Sequence, residues 1–376
     1  MNSDAALHKL VGTLTADRDL APHWRQALLD TPRHPFLRPG FFRPQQGTSY
    51  WEPVVPGNDD WLPGCYTDTV LVTELAGAVS PQDVDGRITA NPTRSALPPG
   101  HVLRMLDAAR TEPGMRVLEV GTGTGYTTAL LCHRLGDKHV TSTDTDYEVS
   151  SRAGITLEQL GHSPELLAGD DVQDKLPRHR YDRLIATSAV RDLPVAWLTA
   201  VKHGGQIIAA LGGWMGATTL VHFTVDANGT AVGRPVTGDW PADLATDDRI
   251  PQYGPIPDGG RERQVAVDPQ TLEDGTARFI AQTAELSAQI IRLTGDDSSA
   301  VHDSLALLDQ EDNSWAVLRR RGGKWMVRQG GETLLWDRIE TELIRWHRDG
   351  RPPLKDLLIV STPHWSRPSV TWTPAL

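Results

Sequence analysis

The stretch VLEVGTGTGY, residues 117–126, decides the fold. Val117, Leu118 and Val120 make a short apolar run of the kind that becomes a strand buried on both faces. Three glycines, Gly121, Gly123 and Gly125, follow at alternate positions with Thr122 and Thr124 between them. Glycine lets the backbone turn tightly and approach a ligand closely. A helix is expected from Thr127 to Leu135, with its N-terminus aimed at the turn. This order places a nucleotide-like ligand at the carboxyl end of a first strand.

Two ligand classes compete for such a turn. A dinucleotide asks for G-x-G-x-x-G, with the pyrophosphate on the helix N-terminus. Here the third glycine arrives one residue early, and Tyr126 stands where that pattern wants glycine. Glu119, two residues before Gly121, would repel phosphate and attract a cation. S-adenosylmethionine has an ammonium, a sulfonium and no phosphate, so Glu119 and the glycine backbone suit its methionine end. Asp144 closes the next expected strand, HVTSTD, with Thr145 beside it, and is placed to accept from ribose hydroxyls. Asp170 and Asp171 follow the third strand in LLAGDD, and Asp170 is a candidate acceptor for the adenine amino group. Taken singly, each aspartate reads equally as a helix cap or turn residue.

Outward from the turn, helix-like stretches (HVLRMLDAAR, TTALLCHRLG, SRAGITLEQLG, LPVAWLTAV) alternate with short apolar strands over residues 101–225. That alternation predicts a parallel, doubly wound sheet. Asn228-Gly229 marks a hairpin turn that adds an antiparallel edge. Three regions follow: an N-terminal segment 1–100 packed on the core, with a helical start and a Pro-, Gly- and Trp-rich stretch expected as ordered loop; the cofactor core 101–240; and a mixed α+β extension 241–376. In the extension, SWAVLRRRGGKWMVRQ reads as a hairpin about Gly322-Gly323. Leu335, Ile339, Leu343 and Trp346 form one face of a helix, and DLLIVSTPHW with SVTWTP reads as a closing strand pair.

Composition limits the partners. A formal charge of −11 over 376 residues argues against a protein that holds nucleic acid by its overall charge. Cys65 and Cys132, the two cysteines, form neither a metal spacing nor a disulfide framework. The start MNSDAALHKL has no signal-peptide pattern and no run is long enough to span a bilayer, so a cytoplasmic protein without a membrane partner is expected.

Several segments then occur in a telling order. TPRHPFL (31–37) precedes CYTD (65–68), RMLDAARTEPGMRVLEVGTGTGYTTALL leads into the turn, and LAGDD, YDRLIATSAV and VKHGGQIIAALGG follow. Over about residues 25–215 the chain resembles the protein-L-isoaspartate O-methyltransferases. The glycine motif is common to many methyltransferases, whereas the pairing of PRHPF with YTD is far more specific. The resemblance implies a Rossmann-like class I methyltransferase sheet and transfer of a methyl group from S-adenosyl-L-methionine to an aspartyl-type carboxylate, leaving S-adenosyl-L-homocysteine. That family carries T-[IS]-S-x-P before the helix leading to the first strand. Counting back from Met105 without gaps puts Leu97 at the family serine and Pro99 at the family proline. Thr93 and Ser95 are the nearest hydroxyls. A loop shift brings Ser95 into the catalytic role; otherwise it is an ordinary loop serine. His101 is a further donor candidate or simply a residue at the helix entry.

The extension resembles the C-terminal region of actinobacterial methyltransferases that tailor ribosomally made peptides, with the ATP-grasp-ligated (graspetide) group the nearest match. That resemblance implies methylation of one aspartate in a macrocyclised precursor and an aspartimide or isoaspartate product. The partners implied are the modified precursor and the ring-forming enzyme. Arg319, Arg320, Arg321, Lys324 and Arg328 form a basic cluster around Trp315 and Trp325 that an acidic peptide could use, or that is a solvated hairpin with its tryptophans in a small core. General isoaspartyl repair is the alternative within the same chemistry. A cofactor-binding scaffold without catalysis and a nicotinamide oxidoreductase are alternatives of other classes.

Overall fold

The computed structural model describes residues 2–16, 21–238, 240, 256–292, 304–363 and 368–372. Three sheets organise them. The first is antiparallel, in the order β2-β1-β3-β4, from β1 (Phe41–Pro44), β2 (Trp51–Val54), β3 (Leu71–Leu75) and β4 (Pro92–Ala96). FFRPQQGTSYWEPV was expected as loop. It is a hairpin in which Phe41, Phe42 and Val54 are buried, so apolar packing outweighs the proline and glycine content.

The central sheet holds nine strands in the order β18-β17-β11-β10-β9-β8-β5-β6-β7. They are β5 (Val117–Val120), β6 (Val140–Asp144), β7 (Glu165–Ala168), β8 (Tyr181–Val190), β9 (Val201–Leu211), β10 (Thr219–Val225), β11 (Ala231–Thr237), β17 (Leu357–Ser361) and β18 (Ser369–Trp372). β5 pairs in parallel with β6 on one side and β8 on the other, which makes its carboxyl end the switch point where such sheets bind ligands. β10, β11, β17 and β18 extend it antiparallel, and Asn228-Gly229 turns the β10–β11 hairpin as its dipeptide predicts.

The helices follow the apolar spacing. α1 (Ser3–Ala16), α2 (Pro22–Asp30), α3 (Trp61–Cys65), α4 (Pro99–Ala109) and α5 (Tyr126–Leu135) contribute to one buried cluster with one face of the parallel strands. α6 (Tyr147–Gln159) begins where Asp146 Oδ1 accepts from the amides of Glu148 and Val149, an N-cap worth about 1 kcal/mol. α7 (Val195–Ala200), α8 (Gly275–Ala284) and α9 (Leu335–Arg348) contribute to the cluster on the opposite face. The third sheet, β12-β16-β15-β14-β13, comprises β12 (Arg261–Gln264), β13 (Ala288–Arg292), β14 (Ser304–Asp309), β15 (Ser314–Arg321) and β16 (Lys324–Gly330).

The expected boundary at residue 240 needs correction. β17 pairs with β11, so residues 357–372 complete the central sheet rather than lie in a separate unit. One cluster also joins Trp197, Phe223 and Ile207 to Leu318, Trp336 and Leu343. Trp315, Trp336, Trp346 and Trp372 are buried, so these tryptophans serve the core. The β15–β16 hairpin turns at Gly322-Gly323 as expected, with Arg319, Arg320, Arg321 and Lys324 on its exposed end and Arg328 against the Trp315 ring. Among the described residues no helix is long and apolar enough to cross a membrane.

Candidate functional site

The glycine turn works because side chains are missing where the backbone folds back. Gly121 has φ +95°, and a Cβ there would fall 2.3 Å from Thr187 Oγ1. Gly125 has φ +89° and packs against Ala153 and Phe36. The amides of Gly121 and Thr122 both donate to Thr143 O, at 2.8 and 3.0 Å, and Thr187 Oγ1 donates to Gly121 O at 2.8 Å. These bonds fix the turn across the carboxyl ends of β5, β6 and β8.

A cavity of about 740 Å³ opens over the turn. Gly121, Thr122, Gly123, Thr124, Asp144 and Thr145 line it, and so do Thr93, Ser95 and Leu97. Asp144 Oδ2 accepts from Gly123 N at 2.9 Å and Oδ1 from Asp146 N at 3.1 Å. Carboxylate oxygens carry about two acceptor sites each, so Asp144 keeps capacity for a ligand.

Four of the expected residues do not line the cavity. Glu119 is fully buried and does not line the cavity; its Oε2 accepts from Thr128 Oγ1 at 2.5 Å and Ser142 Oγ at 2.7 Å, and its Oε1 has no partner. It braces the turn from beneath, and burial pushes its pKa up to about 7, opposed by those two hydroxyl bonds. Asp170 is exposed and Asp171 pairs with Lys175 at 2.7 Å; neither lines the cavity, which is bounded there by Val172 and Gln173. Gly125 stands behind the wall rather than in it.

The opposite wall is the β4 strap. Thr93 Oγ1 donates to Glu74 Oε1 at 2.8 Å and accepts from Gly77 N at 3.0 Å, which commits it to the first sheet. Ser95 lies in the wall two residues on, and Ala96 and Leu97 follow it there, so the strap carries residues 93–97 along the cavity. Leu97 presents its carbonyl to Arg33. His101 packs edge-on against Trp240 and does not line the cavity.

Two arginines at this site carry no role in the sequence reading. Arg94 lies among Glu74, Asp144 and Asp146, at 3.4, 3.4 and 3.1 Å. Arg33 is 1% exposed and donates to Cys65 O, Thr67 O and Leu97 O at 3.2, 3.1 and 2.9 Å. It therefore ties PRHPF, CYTD and the strap together, the physical reason those segments occur as a set. Their pairing was the available signal, and Arg33 is its centre.

A parallel sheet with a glycine turn at its switch point, an acid ending the second strand and a strap across the opening defines the Rossmann-like class I methyltransferase fold. A solved structure named protein-L-isoaspartate O-methyltransferase shares the fold with a TM-score of 0.58 at 18% identity, over 98% of this chain and 99% of its own. Residues 79–238 match the family model described as Protein-L-isoaspartate(D-aspartate) O-methyltransferase (PCMT), and over that segment the chain is related to this family. The Protein-L-isoaspartate O-methyltransferase of Ignicoccus hospitalis is 36% identical over 141 residues, 37% of this chain and 66% of the relative. That of Cronobacter sakazakii is 35% identical over 115 residues, 30% of this chain and 54% of the relative. The chain thus spans between half and two thirds of the length of these two curated relatives.

Proposed function

We propose that the protein is an S-adenosyl-L-methionine-dependent O-methyltransferase whose acceptor is an aspartyl-type carboxylate. The observation that carries this reading is one cavity lined by Asp144, the glycine turn and Ser95 of the β4 strap, inside the family-matched segment. The charges lining the cavity are nearly balanced, Glu74, Asp83, Asp144, Asp146 and Glu148 against Arg33, Arg38, Arg94 and Arg152. The preference for this cofactor over a dinucleotide rests on the family-matched segment and on Tyr126 standing where the dinucleotide pattern has its third glycine.

When bound, the cofactor supplies an electrophilic methyl group on sulfonium. The rest is done by the chain. Asp144 accepts from the ribose hydroxyls and fixes the adenosine end. The backbone at Gly121 and Gly123 lets the methionine end lie against the turn. An aspartyl carboxylate is ionised at neutral pH, so no strong general base is needed. The chain has to desolvate it, aim it in line with the methyl, and donate to its second oxygen. We assign Ser95, which lines the cavity, as that donor, while Leu97, Phe36 and Trp197 in the wall exclude water. The ester then loses methanol as a neighbouring backbone nitrogen closes the succinimide.

The narrower reading is an aspartate of a macrocyclised ribosomal peptide, made into an aspartimide or isoaspartate in the cytoplasm beside the ring-forming enzyme. It rests on the resemblance of the extension to the peptide-tailoring methyltransferases. General repair is the alternative, and the comparisons fit it. The extension does not separate the two, because its fold also occurs in a solved structure that bears the repair enzyme's name. Purified protein is to be offered a linear isoaspartyl peptide and a macrocyclic aspartyl peptide in parallel, with mass spectrometry of both. Methylation followed by methanol loss on the macrocycle alone supports tailoring; methylation of the linear peptide supports repair; binding of NADH in place of S-adenosylhomocysteine removes both.

A further inference from the structure

Arg33 carries a buried charge that, among the described residues, no carboxylate pairs with. At 1% exposure it is as buried as the core leucines around it. A guanidinium has five N–H donors. Nη1 gives two bonds, to Cys65 O and Thr67 O, and Nη2 gives one, to Leu97 O. Nε and one hydrogen of Nη2 remain. Among the described residues no carboxylate comes within ion-pair distance. Asp68, the acid whose field reaches it, accepts from Gly100 N at 2.7 Å. Buried charges without a counter-ion are rare, because desolvation is costly unless a partner repays it. Burial indeed holds the Arg33 pKa below its ordinary value.

The place of this charge matters. Arg33 lines the same cavity as the glycine turn. Its Cζ stands 5.9 Å from the ring centre of Tyr126, the first residue of α5, while its Nη2 holds the strap at Leu97. The cation thus lies between the methyl-donor side and the acceptor side. Nε and Nη2 share the edge of the guanidinium that meets a carboxylate side-on.

We propose that Arg33 is a carboxylate-binding residue of this cavity and that its missing counter-ion is a carboxylate of the bound ligands. This rests on the methyltransferase reading. Two carboxylates enter such a site: the α-carboxylate of the cofactor's methionine part and the carboxylate of the acceptor. The backbone bonds hold the guanidinium rigid, so either one meets a donor pair already in position.

The test compares S-adenosylhomocysteine with 5′-methylthioadenosine, which keeps the adenosine and thioether but lacks the amino-carboxylate. Both are titrated by calorimetry into full-length wild type, R33Q and R33K, and KM and kcat are measured for methyl transfer to the accepted peptide. If Arg33 holds the cofactor carboxylate, R33Q weakens S-adenosylhomocysteine on the order of tenfold or more, as for one charge-assisted pair, and leaves methylthioadenosine unchanged. If it holds the acceptor, both nucleosides bind as before and KM for the peptide rises by a similar factor with kcat largely kept. R33K keeps the charge without the fork and falls between wild type and R33Q; if R33Q does not fold, R33K decides by the same selectivity. Equal weakening of both nucleosides, or wild-type binding and KM in both variants, overturns the proposal. Wild-type protein that binds neither nucleoside overturns the methyltransferase reading, and this proposal with it.

Discussion

Arg94 Nη1 stands 3.4 Å from Asp144 Oδ1, while its Nη2 stands 3.1 Å from Asp146 Oδ2. The residue before Ser95 on the strap is therefore joined to the carboxylate that ends β6 and to the one that caps α6. The strap and the carboxyl end of β6 are clasped by one partly buried guanidinium. Arg94→Met should release S-adenosylhomocysteine faster, on the order of tenfold, the scale of one charge-assisted hydrogen bond. Stopped-flow fluorescence of Trp197, which lines the cavity, reads the rate. Recovery in Arg94→Lys is expected to be partial, and an unchanged rate would mean that the pair only decorates the rim.

Asp144→Ala removes the expected ribose acceptor and also the partner of Gly123 N. Affinity for S-adenosylhomocysteine should fall at least tenfold, since a donor left without its acceptor adds roughly 1–3 kcal/mol to the loss. Calorimetry on the variant checks this. Retained affinity would move the adenosine elsewhere in the cavity.

Ser95→Ala should slow methyl transfer by about tenfold to a hundredfold, the loss of one hydrogen bond made to the reacting carboxylate, with cofactor affinity unchanged. Thr93→Ala should instead lower the melting temperature, because Thr93 is committed to Glu74 and Gly77. Single-turnover rates and thermal unfolding of the two variants separate these roles.

Glu119 makes stability fall as pH rises. Its folded pKa of about 7 lies above the ordinary glutamate value. Below about pH 4 both folded and unfolded chains hold the proton. Between about pH 4 and 7 the unfolded chain has released it and the folded chain has not, so stability declines through that window and the loss is complete above it. The effect is on the order of 3 kcal/mol at roughly 1.4 kcal/mol per pKa unit. Denaturant melts of wild type and Glu119→Gln across this range should differ in slope, the variant being flatter.

The extension should not be removable. Trp336 has no exposed surface and belongs to the cluster that contains Trp197 and Phe223 of the central sheet. Trp336→Ala should cost about 3–5 kcal/mol, and truncation after residue 240 should yield insoluble protein because β11 loses its neighbour β17. A soluble, cooperatively melting truncation would restore the boundary expected from sequence.

Much of the fold could be read from local signals. The 117–126 turn, the strand–helix alternation, Asn228-Gly229, Gly322-Gly323 and the Leu335-Ile339-Leu343-Trp346 stripe each act within a few residues, and each forms as its chemistry predicts. What the sequence hid depends on partners far along the chain. β17 joins β11 across more than a hundred residues, so the sheet and the supposed boundary could not be told apart. Glu119 looked like a ligand for a cation because an acid beside a glycine turn reads as facing it. Thr128 and Ser142, nine and twenty-three residues away, draw it inward instead. Arg33 and Arg94 sit in stretches that carry the family pattern, yet their roles rest on carbonyls and carboxylates supplied by other elements.

The most direct test is transfer of an isotopically labelled methyl group from S-adenosylmethionine to peptide, with the label located by tandem mass spectrometry. The account predicts label on an aspartyl or isoaspartyl carboxylate as a base-labile ester that departs as labelled methanol, and loss of that signal in Asp144→Ala. Label on nitrogen, or on any oxygen other than a carboxylate, would contradict it.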